Sequence, residues 1–179
     1  MSYSSMKIDG VEVSLEHLAP IVRKVSLELR GGVKKVVPVE FRFSCHCFSR
    51  GLEAGEVAPD GHAVPDGSSH QPRPRVFDAE RYELSKRLVR VIDELIRSNG
   101  RVSRTRHENF YRVELTPIAS MPDLHLQYFV FFRARRLAPP NRPRSLLVWV
   151  ESAYPARAGV PPPRGMGARS FGAALGECW

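Results

Sequence analysis

Val37-Pro38-Val39-Glu40-Phe41-Arg42-Phe43-Ser44-Cys45-His46-Cys47 is the stretch on which the fold turns. Val37, Val39, Phe41, Phe43, Cys45 and Cys47 take every second position, with Glu40, Arg42, Ser44 and His46 between them. A period of two is that of the pleat, so the segment predicts a strand with one face in a core and the other carrying polar side chains. Upstream, Val25, Leu27 and Leu29 repeat the alternation and Gly31-Gly32 follows, which predicts a hairpin into this strand. Ile8, Val11 and Val13 around Asp9-Gly10 predict a short strand broken by a turn, and Ser14 caps one helical turn before Pro20.

Downstream, residues 49–75 read as a long loop, with four Gly, four Pro and the turn pairs Asp60-Gly61 and Asp66-Gly67. A helix is predicted over 79–98, capped by Asp78 and stopped by Asn99-Gly100. Leu84, Leu88, Val91, Ile92 and Leu95 form its apolar stripe, and Arg87, Arg90, Glu94 and Arg97 a charged one. Strands follow at Asn109 to Leu115, Leu126 to Arg135 and Ser145 to Tyr154, joined by Pro-containing connections of about ten residues that suit antiparallel neighbours. Tyr128-Phe129-Val130-Phe131-Phe132 is apolar on both faces, as in a central strand. The expected fold is α+β: a mainly antiparallel sheet packed against one long helix, with an N-terminal β region. Residues 1–155 make a single domain, and the Pro-, Gly- and Arg-rich 156–179 a flexible tail.

Composition narrows the partners. The 179 residues carry 27 Lys plus Arg against 19 Asp plus Glu, a formal charge of +8. Arg dominates, in runs such as Arg101 to Arg112 and Arg133 to Arg144, the latter without an acid. Guanidinium groups attract polyanions and fork onto phosphate, which makes nucleic acid the leading partner, RNA ahead of DNA, and an acidic protein surface the alternative. No apolar run approaches the ~20 residues that span a bilayer, so no membrane partner is expected. Three cysteines and an N-terminus without a signal-like apolar stretch predict a cytoplasmic protein.

Several side chains are candidates for chemistry. In an extended Cys45-His46-Cys47 the sulfurs and the imidazole point opposite ways, which argues against one metal holding all three; no metal and no cofactor are expected. His46 shares its face with Glu40, Arg42 and Ser44, so an imidazole, a carboxylate and a guanidinium stand in one row suited to proton transfer at a phosphate. His107 opens the first strand after the helix within an Arg-rich run. Arg133 and Arg135 share a face and can bracket a phosphate. Arg101, Arg104, Arg106, Arg112, Arg136, Arg142 and Arg144 are the remaining nucleic-acid-contact candidates. P-loop, dinucleotide, zincin and nucleophile-elbow motifs are missing from the sequence.

Val148-Trp149-Val150-Glu151-Ser152-Ala153-Tyr154-Pro155 resembles the closing strand of the barnase, EndoU, colicin and RelE-like superfamily of small, toxin-type ribonucleases. Over residues 76–155 the order of helix, then strands ending in Ser-Ala-Tyr-Pro, is similar to theirs. The resemblance implies metal-independent cleavage by the 2′-hydroxyl. Ser152 and Tyr154 would then contact the phosphate or hold the acid, Arg133 or Arg135 would stabilise charge, and His46 or His107 would move the proton. The chain also looks similar to prophage-type proteobacterial proteins. The competing readings are a non-enzymatic phage or mobile-element accessory protein that binds nucleic acid or an acidic protein surface, and an interaction protein acting through its loop and tail.

Overall fold

A computed structural model describes residues 4–66, 73–105, 110–115, 128–140, 143–156 and 165–179, with 110–115 described for the backbone alone. No helix among the described residues is long and apolar enough to cross a membrane. An N-terminal hairpin, β1 (Ser5–Ile8) and β2 (Val11–Ser14), turns through Asp9 and Gly10, both at positive φ. β3 (Ile21–Glu28) and β4 (Lys34–Phe43) form the hairpin predicted from Gly31-Gly32. The loop expected at 49–75 holds a small sheet of β5 (Ser49–Gly51), β6 (Ala63–Val64) and β7 (Arg75–Phe77), in the order β5-β7-β6.

The single helix expected at 79–98 is two, α1 (Ala79–Ser85) and α2 (Leu88–Ser98). The break follows Ser85, whose buried hydroxyl donates to the Tyr82 carbonyl at 2.7 Å and meets His17 Nε2 at 2.7 Å. A serine bonded to its own helix backbone competes with the helical pattern. α1 starts where Asp78 accepts the Arg81 amide, and α2 ends on a left-handed Asn99. Leu88, Val91, Ile92 and Leu95 of α2 are buried at the spacing of one helix face.

β8 (Arg101–Arg104), β9 (Phe110–Leu115), β10 (Tyr128–Leu137) and β11 (Ser145–Pro155) run as an antiparallel meander. β12 (Ala168–Ser170) closes one edge, which gives a seven-stranded sheet of order β12-β8-β9-β10-β11-β4-β3. The expected mainly antiparallel α+β architecture is present, with one parallel pairing, β4 beside β11. The carboxyl ends of these two strands therefore lie together.

Helix α3 (Phe171–Gly176) corrects the expectation of a flexible tail from 156 onward. Phe171, Ala174 and Leu175 join the core formed by Val37, Val39, Phe41 and Phe43 of β4, Leu146, Val148 and Val150 of β11, and α2. A Cβ on Gly172 would stand 2.5 Å from the Ser26 carbonyl oxygen, and one on Gly176 would collide with that of Glu28, so α3 meets β3 through glycine. A ring of polar contacts seals this seam. Asn99 donates to Glu28 at 2.7 Å and accepts from the Gly172 amide at 2.8 Å, while Ser170 donates to Glu28 at 2.9 Å and accepts from the Ala173 amide at 3.2 Å.

Candidate functional site

The alternation that predicts a strand to Cys47 stops at Phe43. Residues Cys45–Cys47 form a turn of 3-10 helix, capped by Ser44, whose hydroxyl accepts the His46 amide at 3.1 Å. Ser44 also ties the turn to β11: its amide donates to the Val150 carbonyl at 3.0 Å and its hydroxyl to the Glu151 carbonyl at 2.5 Å. Those carbonyls sit at a bulge, where the register with β10 passes from Ser152 opposite Phe131 to Val150 opposite Phe132 and leaves Glu151 extra. The bulge switches phase. Leu146, Val148 and Val150 face the core before it and Ala153 after it, so Ser152 and Tyr154 stand on the outer face.

The turn takes His46 away from the row of Glu40 and Arg42 with which it was expected. Those two pair with each other at 2.7 Å. His46 Nε2 instead lies 3.4 Å from Asp66 Oδ1. Burial lowers the imidazole pKa and Arg75 adds to the effect, against the pull of Asp66, so the neutral ring is favoured. Arg75, itself buried, donates to the Ser49 hydroxyl at 2.8 Å and carbonyl at 2.7 Å.

Arg81, in the first turn of α1, is the bridge. Its Nη1 donates to the His46 carbonyl at 3.3 Å and the Ser49 carbonyl at 3.0 Å, and its guanidinium carbon lies 5.2 Å from the centre of the Tyr154 ring. Tyr154 stacks on Phe131 at 5.4 Å between centroids and meets Phe129 edge-on at 6.1 Å. Arg133 Nε is 2.5 Å from Glu151 Oε1, and Trp149 also bonds the Glu151 carboxyl. Burial nonetheless raises the Glu151 pKa, with Asp66 adding to it and Arg133 opposing. Beneath the turn, the Tyr128 hydroxyl is buried without a hydrogen-bond partner among the described residues. Burial raises its pKa and that of the neighbouring Cys47 thiol, while Arg81 opposes both shifts.

His46, Tyr154 and Arg133 thus gather at the carboxyl ends of β4 and β11, with Ser152 next to them on the strand. Arg135 is exposed two residues beyond Arg133 on the same face. His107, Arg106 and Arg142 lie outside the described residues; Arg112 is placed by backbone alone, opposite Phe131 and Ser103. Arg101 and Arg104 belong to β8, three strands from β11, and Arg144 is exposed at the other end of β11. Arg136 donates to the Trp179 carbonyl at 2.6 Å and so holds the end of the chain. Asp66, Arg75, Arg81, Glu151 and Tyr128 are members of the site that sequence reasoning missed. Only Glu151 had a signal, the switch of apolar phase after Val150.

The turn also removes the geometric argument against metal. Donor atoms of Cys45, His46 and Asp66 lie within 4.8 Å of one another, a mixed sulfur, nitrogen and oxygen set of the kind that suits zinc. A model of the YjaZ family matches residues 5–179, and the chain belongs to that family. Comparison with curated proteins and with solved structures gives no match.

Proposed function

We propose that this member of the YjaZ family cleaves RNA as a toxin-type, metal-independent endoribonuclease, with its active site at the carboxyl ends of β4 and β11. The observation that carries the reading is Arg81: one guanidinium bonds the backbone of His46 and lies over the ring of Tyr154, joining two candidates more than a hundred residues apart. The helix-then-sheet order of α1, α2 and the β8 to β11 meander supports the reading, with two helices and four strands in place of the one helix and three strands expected.

In this reading Asp66 holds the proton on His46 Nε2, which leaves Nδ1 to accept the proton of the substrate's 2′-hydroxyl. The 2′ oxygen attacks phosphorus, the bond to the 5′ oxygen breaks, and Tyr154 gives that oxygen its proton. Arg81 and Arg133 meet the charge that develops on the phosphoryl oxygens, and Ser152 donates to one of them. The product is a 2′,3′-cyclic phosphate.

The test is purified protein with total RNA in EDTA, beside His46→Ala and Arg133→Ala. Cleavage is expected in EDTA and is expected to fall about 10²- to 10³-fold for Arg133→Ala, as for the loss of one donor to developing charge. RNA left intact at every protein concentration overturns the proposal. One observation favours a second reading: the Cys45, His46 and Asp66 cluster would support zinc-assisted hydrolysis, and cleavage that stops in EDTA and returns with Zn²⁺ would select it. Nucleic-acid binding without cleavage is a further alternative, read as a gel shift that weakens steeply with salt.

A further inference from the structure

The sheet carries a second feature on the same outer face. Trp149 is partly exposed and is paired in register with Arg133 on one side and Arg42 on the other. Those two side chains are 60% and 41% exposed, so the indole lies between two cations that reach solvent. Arg135 pairs with Leu147 in the next row on this face, and Lys24 stands on β3 opposite Pro38, one row from Val22, which faces Glu40; Arg135 and Lys24 are exposed without an ion-pair partner among the described residues. Among the described side chains, Glu40 is engaged by Arg42, and Glu151 by Arg133 and Trp149.

We propose that Trp149 is a base-stacking subsite for single-stranded RNA, flanked by Arg133 and Arg135 as phosphate contacts and continuous with the site at Tyr154. An aromatic face beside guanidinium groups is the arrangement that holds an unpaired base, because stacking accepts any base while the cations follow the backbone. A duplex keeps its bases inside the stack and offers the ring nothing. Trp149 and Tyr154 lie on one strand, about four pleat steps or roughly 13 Å apart once the bulged residue is discounted. A strand of RNA crossing the active site therefore passes over the indole. This inference rests on the RNA reading above and adds the substrate's single-stranded form.

The chain has two tryptophans, so Trp179→Phe leaves Trp149 as the sole indole reporter. The probe is an oligoribonucleotide fully 2′-O-methylated, which has no free 2′-hydroxyl and cannot be cleaved by the proposed route. It is used single-stranded and annealed to its complement, with heparin as a polyanion control. The expected result is quenching of Trp149 by the single strand and none by the duplex or by heparin. Trp149→Ala in the otherwise natural chain weakens binding of the labelled single strand by about tenfold or more, and Trp149→Phe restores most of it. The same quenching in the natural chain excludes an effect of the Trp179 substitution. Binding by anisotropy with Trp149 emission unchanged, equal quenching by duplex or heparin, or no binding of the single strand overturns the subsite. Quenching in a chain that leaves RNA intact keeps the subsite and removes the nuclease; cleavage with a silent Trp149 does the reverse.

Discussion

The two places where distant parts of the chain meet are built on different terms. At the seam between α3 and β3, glycines bring backbone onto backbone, and Asn99, Glu28 and Ser170 close a ring in which each side chain meets a partner. At the pole where β4 and β11 end together, the chain buries a Tyr128 hydroxyl that has no partner among the described residues. There it also shifts His46 and Glu151 toward their neutral forms and draws two arginines onto backbone carbonyls. A seam with satisfied polar groups adds stability, whereas polar groups held away from their preferred charge states cost stability and can be retained for chemistry. On the proposal that the pole is the active site, the difference separates what closes the fold from what carries the chemistry.

The comparison is broken most sharply at His46. His46→Ala is expected to lower RNA cleavage in EDTA by about 10²- to 10⁴-fold, the usual worth of a proton-transferring side chain, with the melting temperature nearly unmoved. A large loss of melting temperature with activity per folded molecule unchanged would place His46 with the structural seam instead.

The converse change is Gly172→Ala, where the new Cβ meets the Ser26 carbonyl at 2.5 Å. Forcing an extra carbon into a packed contact typically costs about 1–3 kcal/mol, or roughly 2–12 °C of melting temperature for a chain of this size. Cleavage measured well below the melting transition should persist.

Tyr128→Phe sharpens the comparison from inside the pole. It removes a buried hydroxyl that has no partner among the described residues, so stability is expected to rise by about 1 kcal/mol, seen as a higher urea midpoint at an unchanged slope. A fall in the midpoint would show that the hydroxyl is engaged in solution.

The smallest effect is on the dependence of stability on pH. Because the folded pKa of His46 lies below 6.5, the unfolded chain binds its proton first as the pH falls. The contribution of the neutral ring is fully present above pH 6.5 and is lost as the pH falls through the folded pKa. His46→Gln should remove that part of the slope while leaving the carboxylate-dependent slope at lower pH.

Much of the sheet was legible because alternation is a strong local signal. Val37 to Phe43, Val25 to Leu27 and the stripe of α2 all follow from period alone. The same signal misled at Cys45 and Cys47, which are buried as the alternation requires but on a 3-10 turn, where a Ser44 cap and not a ladder decides the backbone. Gly and Pro density hid β5 to β7, since strands of two or three residues carry too little pattern to register. The same density hid α3, where the glycines are packing requirements and not signs of mobility. Pairing of β4 with β11, across about a hundred residues, has no local signature, and with it went Asp66, Arg75 and Arg81 as members of the site. His46 was named as a candidate from its residue type and Tyr154 from the ribonuclease resemblance; what joins them was not legible.

The most direct test follows an end-labelled RNA in EDTA with the natural chain, Arg81→Lys and Arg81→Ala, each checked by melting, with product ends identified by mass. The account predicts 2′,3′-cyclic phosphate ends from the natural chain and a large loss of rate in both variants at preserved fold. Lysine keeps the charge but cannot bond two carbonyls and cover the Tyr154 ring with one planar group. Intact RNA with the natural chain, ends other than the cyclic phosphate, or full cleavage by folded Arg81→Ala would contradict it.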